Sequence, residues 1–283
     1  MSNSLIDADW LYEQQQATTE IIVLHTAMRN PVTGEQADIG LEVIPGARHF
    51  DFENVFCDTS NPLPHTMPEA SVFEQHARDL GINGDATIVV YDDIGIYCAP
   101  RVWWMFKAMG HNNVYVLNGG LPAWKSKGYR CQVGFATELK PGDFRVSESS
   151  ALLIKLNAFL QRRGESDTQV VDARSEGRFL GTEAEPRAGL RGGHMPKAKN
   201  LPFDRVLKDG FMKPENELLA LFQPLKLAGD TRFVFSCGSG VTACVLALAA
   251  SQLDIDDIAV YDGSWSEWGA DLSLPVEVGK AIE

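Results

Sequence analysis

Apolar positions along this chain fall into two rhythms. Short runs rich in Val, Ile and Phe, at residues 20–24, 87–91, 114–117, 169–172, 232–236 and 258–261, are too brief for helices and read as buried strands. Longer stretches at residues 71–80, 97–109, 152–162, 215–222 and 241–252 carry apolar residues at helical spacing. Strand and helix alternate, which predicts an α/β fold with mainly parallel sheets flanked by helices. The stretch 241–252 is apolar nearly all round, so its helix is expected to be buried on every side.

The same order of signals occurs twice. Ile44, Pro45, Gly46, Ala47 and Phe52 match Met195, Pro196, Lys197, Ala198 and Phe203; Val89 through Gly95 match Val234 through Gly240; Val116 through Gly119 and Trp124 match Val260 through Gly263 and Trp268. Long-period self-similarity of this kind means a tandem duplication. The expected division is a first domain at residues 1–134, a linker at 135–150 with Pro141, Gly142 and several charges but no periodicity, and a second domain at 151–283. Asp92 falls where the second half has Cys237, so the chemistry is expected in the second half alone.

Composition narrows the setting. With 45% hydrophobic and 22% charged residues, the 283-residue chain reads as globular and long enough for two domains. Its 38 acidic against 25 basic residues, a net charge of -13, argue against nucleic acid or an anionic membrane as partner. An anionic substrate then has to be met by a local cluster of arginines or amides. Five cysteines, at 57, 98, 131, 237 and 244, form no CxxC pair and leave an odd count. That fits reduced thiols in a cytosol better than a disulfide framework, and speaks against a zinc site. Met1 to Ser4 is polar and shows no secretory signal, and no apolar stretch is long enough to span a bilayer; the expectation is a cytoplasmic protein with no metal and no cofactor.

Cys237 stands between a strand and the apolar helix, in the run Cys237, Gly238, Ser239, Gly240, Val241, Thr242, Ala243. A tight turn there aims consecutive backbone N–H groups and the positive end of the helix at the sulfur, an anion cradle made of residues 238–242. The glycines allow backbone angles that side-chain-bearing residues resist. A thiol in that place is expected to be largely thiolate; the other reading is a buried structural cysteine.

The CGSGVTA of residues 237–243 and the YDGSWSEW of residues 261–268, set in tandem halves, resemble the two-domain rhodanese-type sulfurtransferases, and among them those that use 3-mercaptopyruvate. The resemblance implies two rhodanese-like domains, the first non-catalytic, with the active site near their interface. It implies transfer of sulfur from a small anionic donor onto Cys237 as a persulfide, and on to a thiol, thioredoxin or a small thiol, or to cyanide. Arg178 and Arg187 match the family segment that holds the substrate, and a guanidinium fork suits a carboxylate. Read without the family, both arginines are equally well surface ion pairs with Glu176, Glu183 or Glu185.

Three rivals remain in view. Thiosulfate to cyanide transfer is the nearest, but the enzymes that perform it carry cationic side chains after the cysteine, where Gly238 and Ser239 are neutral. A tyrosine phosphatase needs an arginine six residues after its cysteine, and Ala243 stands there. A persulfide carrier with little turnover of its own is the third.

Several neighbours are assigned supporting parts. Asp172 and Arg174 read as a structural ion pair, His194 as a turn residue, Cys244 as buried, and Trp265 and Trp268 as pocket wall or core. The family's first-domain histidine is replaced by Val43, and the strand end matching Asp172 carries His25. His49 and His65 are stand-ins that sequence cannot place.

Overall fold

The computed structural model describes residues 4–17, 21–29, 41–147, 151–227 and 230–280. The first half contains β1 (Leu5–Ile6), α1 (Ala8–Gln16), β2 (Ile21–Thr26), β3 (Arg48–His49), α2 (Ala70–Asp79), β4 (Thr87–Asp92), α3 (Ala99–Ala108), β5 (Val114–Leu117) and α4 (Gly120–Ser126). The second contains β6 (Leu153–Ile154), α5 (Leu156–Arg162), β7 (Thr168–Asp172), α6 (Glu176–Leu180), β8 (Lys199–Asn200), β9 (Leu207–Lys208), β10 (Phe211–Met212), α7 (Glu215–Phe222), β11 (Arg232–Ser236), α8 (Ala243–Ser251), β12 (Ile258–Tyr261) and α9 (Ser264–Trp268).

Each half is one five-stranded parallel sheet, ordered β1-β5-β4-β2-β3 and β6-β12-β11-β7-β8, so the two topologies are identical. The short unbroken apolar runs became the central strands, because a strand covered by helices on both faces tolerates no polar face. In β11, Phe233, Val234 and Phe235 are all buried. The two-residue edge strands β1, β3, β6 and β8 carry no such pattern and escape the sequence reading. Glu20, expected to open β2, lies outside the described residues, and β2 runs on to Thr26.

Strand register fixes the correspondence between halves. Leu24 pairs with both Arg48 and Val90, and Val171 pairs with both Lys199 and Phe235. His25 therefore stands where Asp172 stands, and Asp92 where Cys237 stands. The match inferred from the repeat holds in three dimensions.

The halves are joined by α3 and α8, which pack against each other. All nine residues of α8 are buried, as its sequence requires, since a helix apolar on every side needs partners on every side. Residues 135–147 form no helix or strand, yet the segment clings to the first half. Phe144 is fully buried and bonds through its amide to the Ile82 carbonyl, and Ser147 bonds to Met109. Residues 148–150 of the expected linker lie outside the described residues.

Each half also extends an arm over the other. The Met67 amide donates to the Asp262 carboxylate at 2.9 Å, and the Met212 amide donates to Asn118 Oδ1, also at 2.9 Å. Asn118 and Asp262 occupy equivalent places after β5 and β12. The hairpin β9–β10 turns through Asp209 and Gly210, both at positive φ, and Gly210 accepts from the Ile96 amide beside Asp92. No helix among the described residues is long and apolar enough to cross a membrane, and no cluster of three or more His, Cys, Asp or Glu among them is arranged to hold a metal ion.

Candidate active site

Cys237 follows directly on β11 and is 2% exposed. Three carbonyls of its loop are pinned from outside. Cys237 C=O accepts the Trp265 amide at 2.9 Å; Gly238 C=O accepts the Ser266 amide at 2.9 Å and its hydroxyl at 2.7 Å. Gly240 C=O accepts Arg101 Nη1 at 3.4 Å and Cys244 Sγ at 3.2 Å. In a planar trans peptide the N–H points away from the C=O, so the amides of Gly238, Ser239 and Val241 turn to the opposite face. Among the described residues, the amides of 238–243 donate to no carbonyl or side chain. Gly240, at φ +74°, supplies the left-handed turn this path needs.

The first half shows what such a loop accepts. Asp92, in the place of Cys237, takes the amides of Tyr97, Cys98 and Ala99 at 2.8–2.9 Å and the Cys98 thiol at 2.7 Å. A carboxylate thus fills that loop's row of donors. Burial pushes the Asp92 carboxyl upward against those hydrogen bonds, and pushes the Cys98 thiol up as well.

Both arginines singled out in the sequence converge on the loop. A Cβ at Gly238 would lie 3.2 Å from Arg178 Nη2 and 3.6 Å from Arg187 Nη1. Arg178 is paired with Glu185 at 2.6 Å, so part of the ion-pair reading is correct, but the Glu185 side chain is 1% exposed and the pair is no surface contact. Glu185 also binds Arg174, which grips Asp172 at 2.6 Å and lies over the Trp265 ring at 4.1 Å. Arg187 is different: among the described residues it has no hydrogen bond and no ion pair. Burial lowers its pKa, against the raising influence of Cys237. A half-buried guanidinium without an acid partner beside a thiol is an open anion receptor.

The second half, where the chemistry is expected, does not form the loop's surroundings alone: an arm from the first half reaches it. His65 Nδ1 lies 2.9 Å from Ser239 Oγ, and His65 Nε2 lies 3.4 Å from Glu53 Oε1. His65 adopts φ 60°, rare for a residue with a side chain, so the chain is held there by its surroundings. Of the two stand-in histidines, His65 is the one at the loop. His49 stacks on Phe135 near His25, and burial lowers its pKa. Val43 is fully buried and bridges to Gln132.

The remaining assignments sort cleanly. His194 stacks on Phe179 and approaches Glu277, with no hydrogen bond or ion pair to the loop among the described residues. Cys244 is fully buried, with its pKa pushed up to about 12 by that burial, and props the Gly240 carbonyl. Trp265 and Trp268 are core, the first also clamping Arg174. Val241 is buried, and the Thr242 hydroxyl has no hydrogen bond among the described residues. Sequence reasoning missed Glu53, Arg101, Glu185, Asp262, Ser264 and Ser266. Asp262, Ser264 and Ser266 stood inside the second motif and Glu185 beside the arginines without being given a part in the site; Ser264 Oγ accepts the Cys237 amide at 3.2 Å.

Comparison with known proteins places this geometry. Residues 35–127 and 156–271 each match the rhodanese-like domain. The chain is 38% identical over 276 residues to the 3-mercaptopyruvate sulfurtransferase of Escherichia coli K12, covering 96% of this chain and 97% of that protein. It is also 38% identical to the thiosulfate sulfurtransferase of Mus musculus, covering 94% and 91% respectively. The crystal structure of SseA from Escherichia coli superposes with a TM-score of 0.83 at 35% identity, covering 93% of this chain and 99% of that one. With both halves matched and the cysteine loop at their junction, the chain belongs to the rhodanese-like family and is a sulfurtransferase.

Proposed function

We propose that the protein takes sulfur from 3-mercaptopyruvate onto Cys237 and passes it to a thiol, thioredoxin or a small thiol, or to cyanide. The observation that carries this reading is the unpaired Arg187 beside Arg178 over Gly238, next to the sulfur. Arg187 and Arg178 hold the donor's carboxylate and ketone oxygen. The Cys237 thiolate attacks the donor sulfur, the carbon–sulfur bond breaks, and its electron pair leaves as the pyruvate enolate. The proton that the donor sulfur gives up equals the one the enolate carbon needs, and the chain Ser239, His65 and Glu53 is placed to move it. Pyruvate leaves and a Cys237 persulfide remains. Its outer sulfur is anionic, and the loop amides at residues 238–242 stabilise it as they stabilise the thiolate. Attack by the acceptor on that outer sulfur returns the thiolate, with no external cofactor consumed.

The division of labour assigns residues 1–134 to a domain without a nucleophile and 151–283 to the catalytic domain, with 135–150 between them. The five free cysteines support a reducing, cytoplasmic setting. A second reading has support from the same arginines, since two guanidiniums also suit the thiosulfate dianion. Intact mass after brief exposure to each donor at equal concentration tests both. One added sulfur on Cys237, left faster by 3-mercaptopyruvate, is expected; faster loading by thiosulfate overturns the donor assignment, and no added sulfur from either overturns the persulfide.

A further inference from the structure

The two arms that cross between the halves are equivalent, but their charges are not. On the silent side, the Met212 amide meets the neutral Asn118. On the side of the reactive loop, the Met67 amide meets Asp262, and Asp262 is paired at 2.7 Å with Arg101 from α3 of the first half. Counting along the equivalent helices from the matched pair Asp92 and Cys237, the place of Arg101 is taken by Leu246 in the second half. The same docking geometry therefore forms without an ion pair, and the Arg101–Asp262 pair appears only on the side of Cys237.

Arg101 is fully buried, and so is its partner. Its fork reaches three groups: Nη2 donates to Asp262 and to the His65 carbonyl, both at 2.7 Å, while Nη1 donates to the Gly240 carbonyl at 3.4 Å. A Cβ at Gly240 would come within 3.1 Å of Nη1, so guanidinium and loop are in direct contact. By holding the Gly240 carbonyl outward, Arg101 turns the Val241 amide inward, because the two share one peptide plane. By holding the His65 carbonyl, it fixes the arm that brings His65 to Ser239.

We propose that Arg101 is a positioning residue of the sulfur-transfer reaction, supplied by the half that lacks the reactive cysteine loop. It sets the Gly240–Val241 peptide and the His65 arm in register with Cys237, and makes the reactive loop conditional on the docking of the two halves. The proposal rests on Cys237 being the sulfur carrier.

The molecule supplies its own control. The double change Arg101→Leu with Asp262→Asn installs the neutral pair already used at the silent loop, removes both charges together and leaves an acceptor for the Met67 amide. The other groups around the loop keep their side chains: Arg178 and Arg187, His65 and Glu53, Tyr97, and Cys244 on α8. Expected are native-like unfolding, a fall in kcat of roughly 10 to 100-fold, less than the roughly 100 to 1000-fold for outright loss of an anion-hole donor because the Val241 amide is misaligned and not removed, and a KM for 3-mercaptopyruvate within about twofold. Iodoacetamide should alkylate Cys237 more slowly by a similar factor. Arg101→Lys keeps the charge pair but lacks the second arm, so it should fold and fall between wild type and the double variant. A folded variant with wild-type kcat and alkylation rate overturns the proposal, and so does Arg101→Lys matching wild type if the double variant does not fold. Absence of an added sulfur on Cys237 in the wild type would instead overturn the reading on which the proposal rests.

Discussion

Replacing Arg187 by alanine should separate donor capture from folding. Its guanidinium has no acid partner among the described residues, is half-buried, and feels Arg178 as a like charge. Removing it takes away one charge-assisted contact to the donor, worth about 1.5 to 3 kcal/mol, which lowers kcat/KM for 3-mercaptopyruvate by roughly 10 to 150-fold. Stability should hold within about 0.5 kcal/mol, because no ion pair is broken and a repulsion is relieved. Arg178→Ala is the contrasting case. It strips a 2.6 Å contact from the buried Glu185 carboxylate, leaving Arg174 alone to neutralise it. That variant should lose about 1 to 3 kcal/mol of stability along with efficiency. Steady-state kinetics at saturating acceptor and urea unfolding of both variants supply the numbers. Unchanged efficiency in Arg187→Ala, or equal stability losses in the two, would refute the assignment of Arg187 as the free receptor.

Three further outcomes follow from the same geometry. Cys237→Ser should fold normally and accept no sulfur by intact mass, whereas variants of Cys57, Cys98, Cys131 and Cys244 should each still load; failure of any stable one of the four to load contradicts a single carrier. Gly240→Ala should cost about 1 to 2 kcal/mol, since it forces a side chain into a left-handed turn, with Asp262 O 3.0 Å away; Gly238→Ala meets only the ends of two arginines and should unfold near wild type. His65→Ala should lower kcat by roughly 100-fold or more, read in single-turnover loading of Cys237, and a wild-type rate would remove His65 from the proton path.

How much of this was legible in the sequence depends on the range over which each signal acts. The central strands and α8 were visible because parallel strands and fully buried helices demand unbroken apolar runs. The equivalence of Asp92 and Cys237 was visible because duplication preserves order. The two-residue edge strands were not, since their pairing is decided by neighbours in space. Arg178 and Arg187 were found through the family motif, and their ion-pair alternative was half right for Arg178. Glu53 and Arg101 left no local trace, and the motif that holds Asp262 does not reveal its partner: Arg101 meets Asp262 across 161 positions of chain, and His65 meets Ser239 across 174. The first half's contacts to the loop were hidden for the same reason, because a repeat identifies what each half contains and says nothing about what it lends.

On the roles proposed for His65, Glu53 and Arg101, the crossed arms make the two halves a single working unit. A fragment holding only the second half would keep Cys237, the arginines and its own sheet, and would still lack the histidine, the carboxylate behind it and the guanidinium behind the loop. It would also bare α8, whose nine residues have no polar face to offer water. Such a fragment should aggregate before it could be assayed. Producing it together with the first half as a separate chain is the instructive experiment, because recovery of sulfur transfer would then report the joining of two surfaces and so turn an enzyme assay into a measure of association.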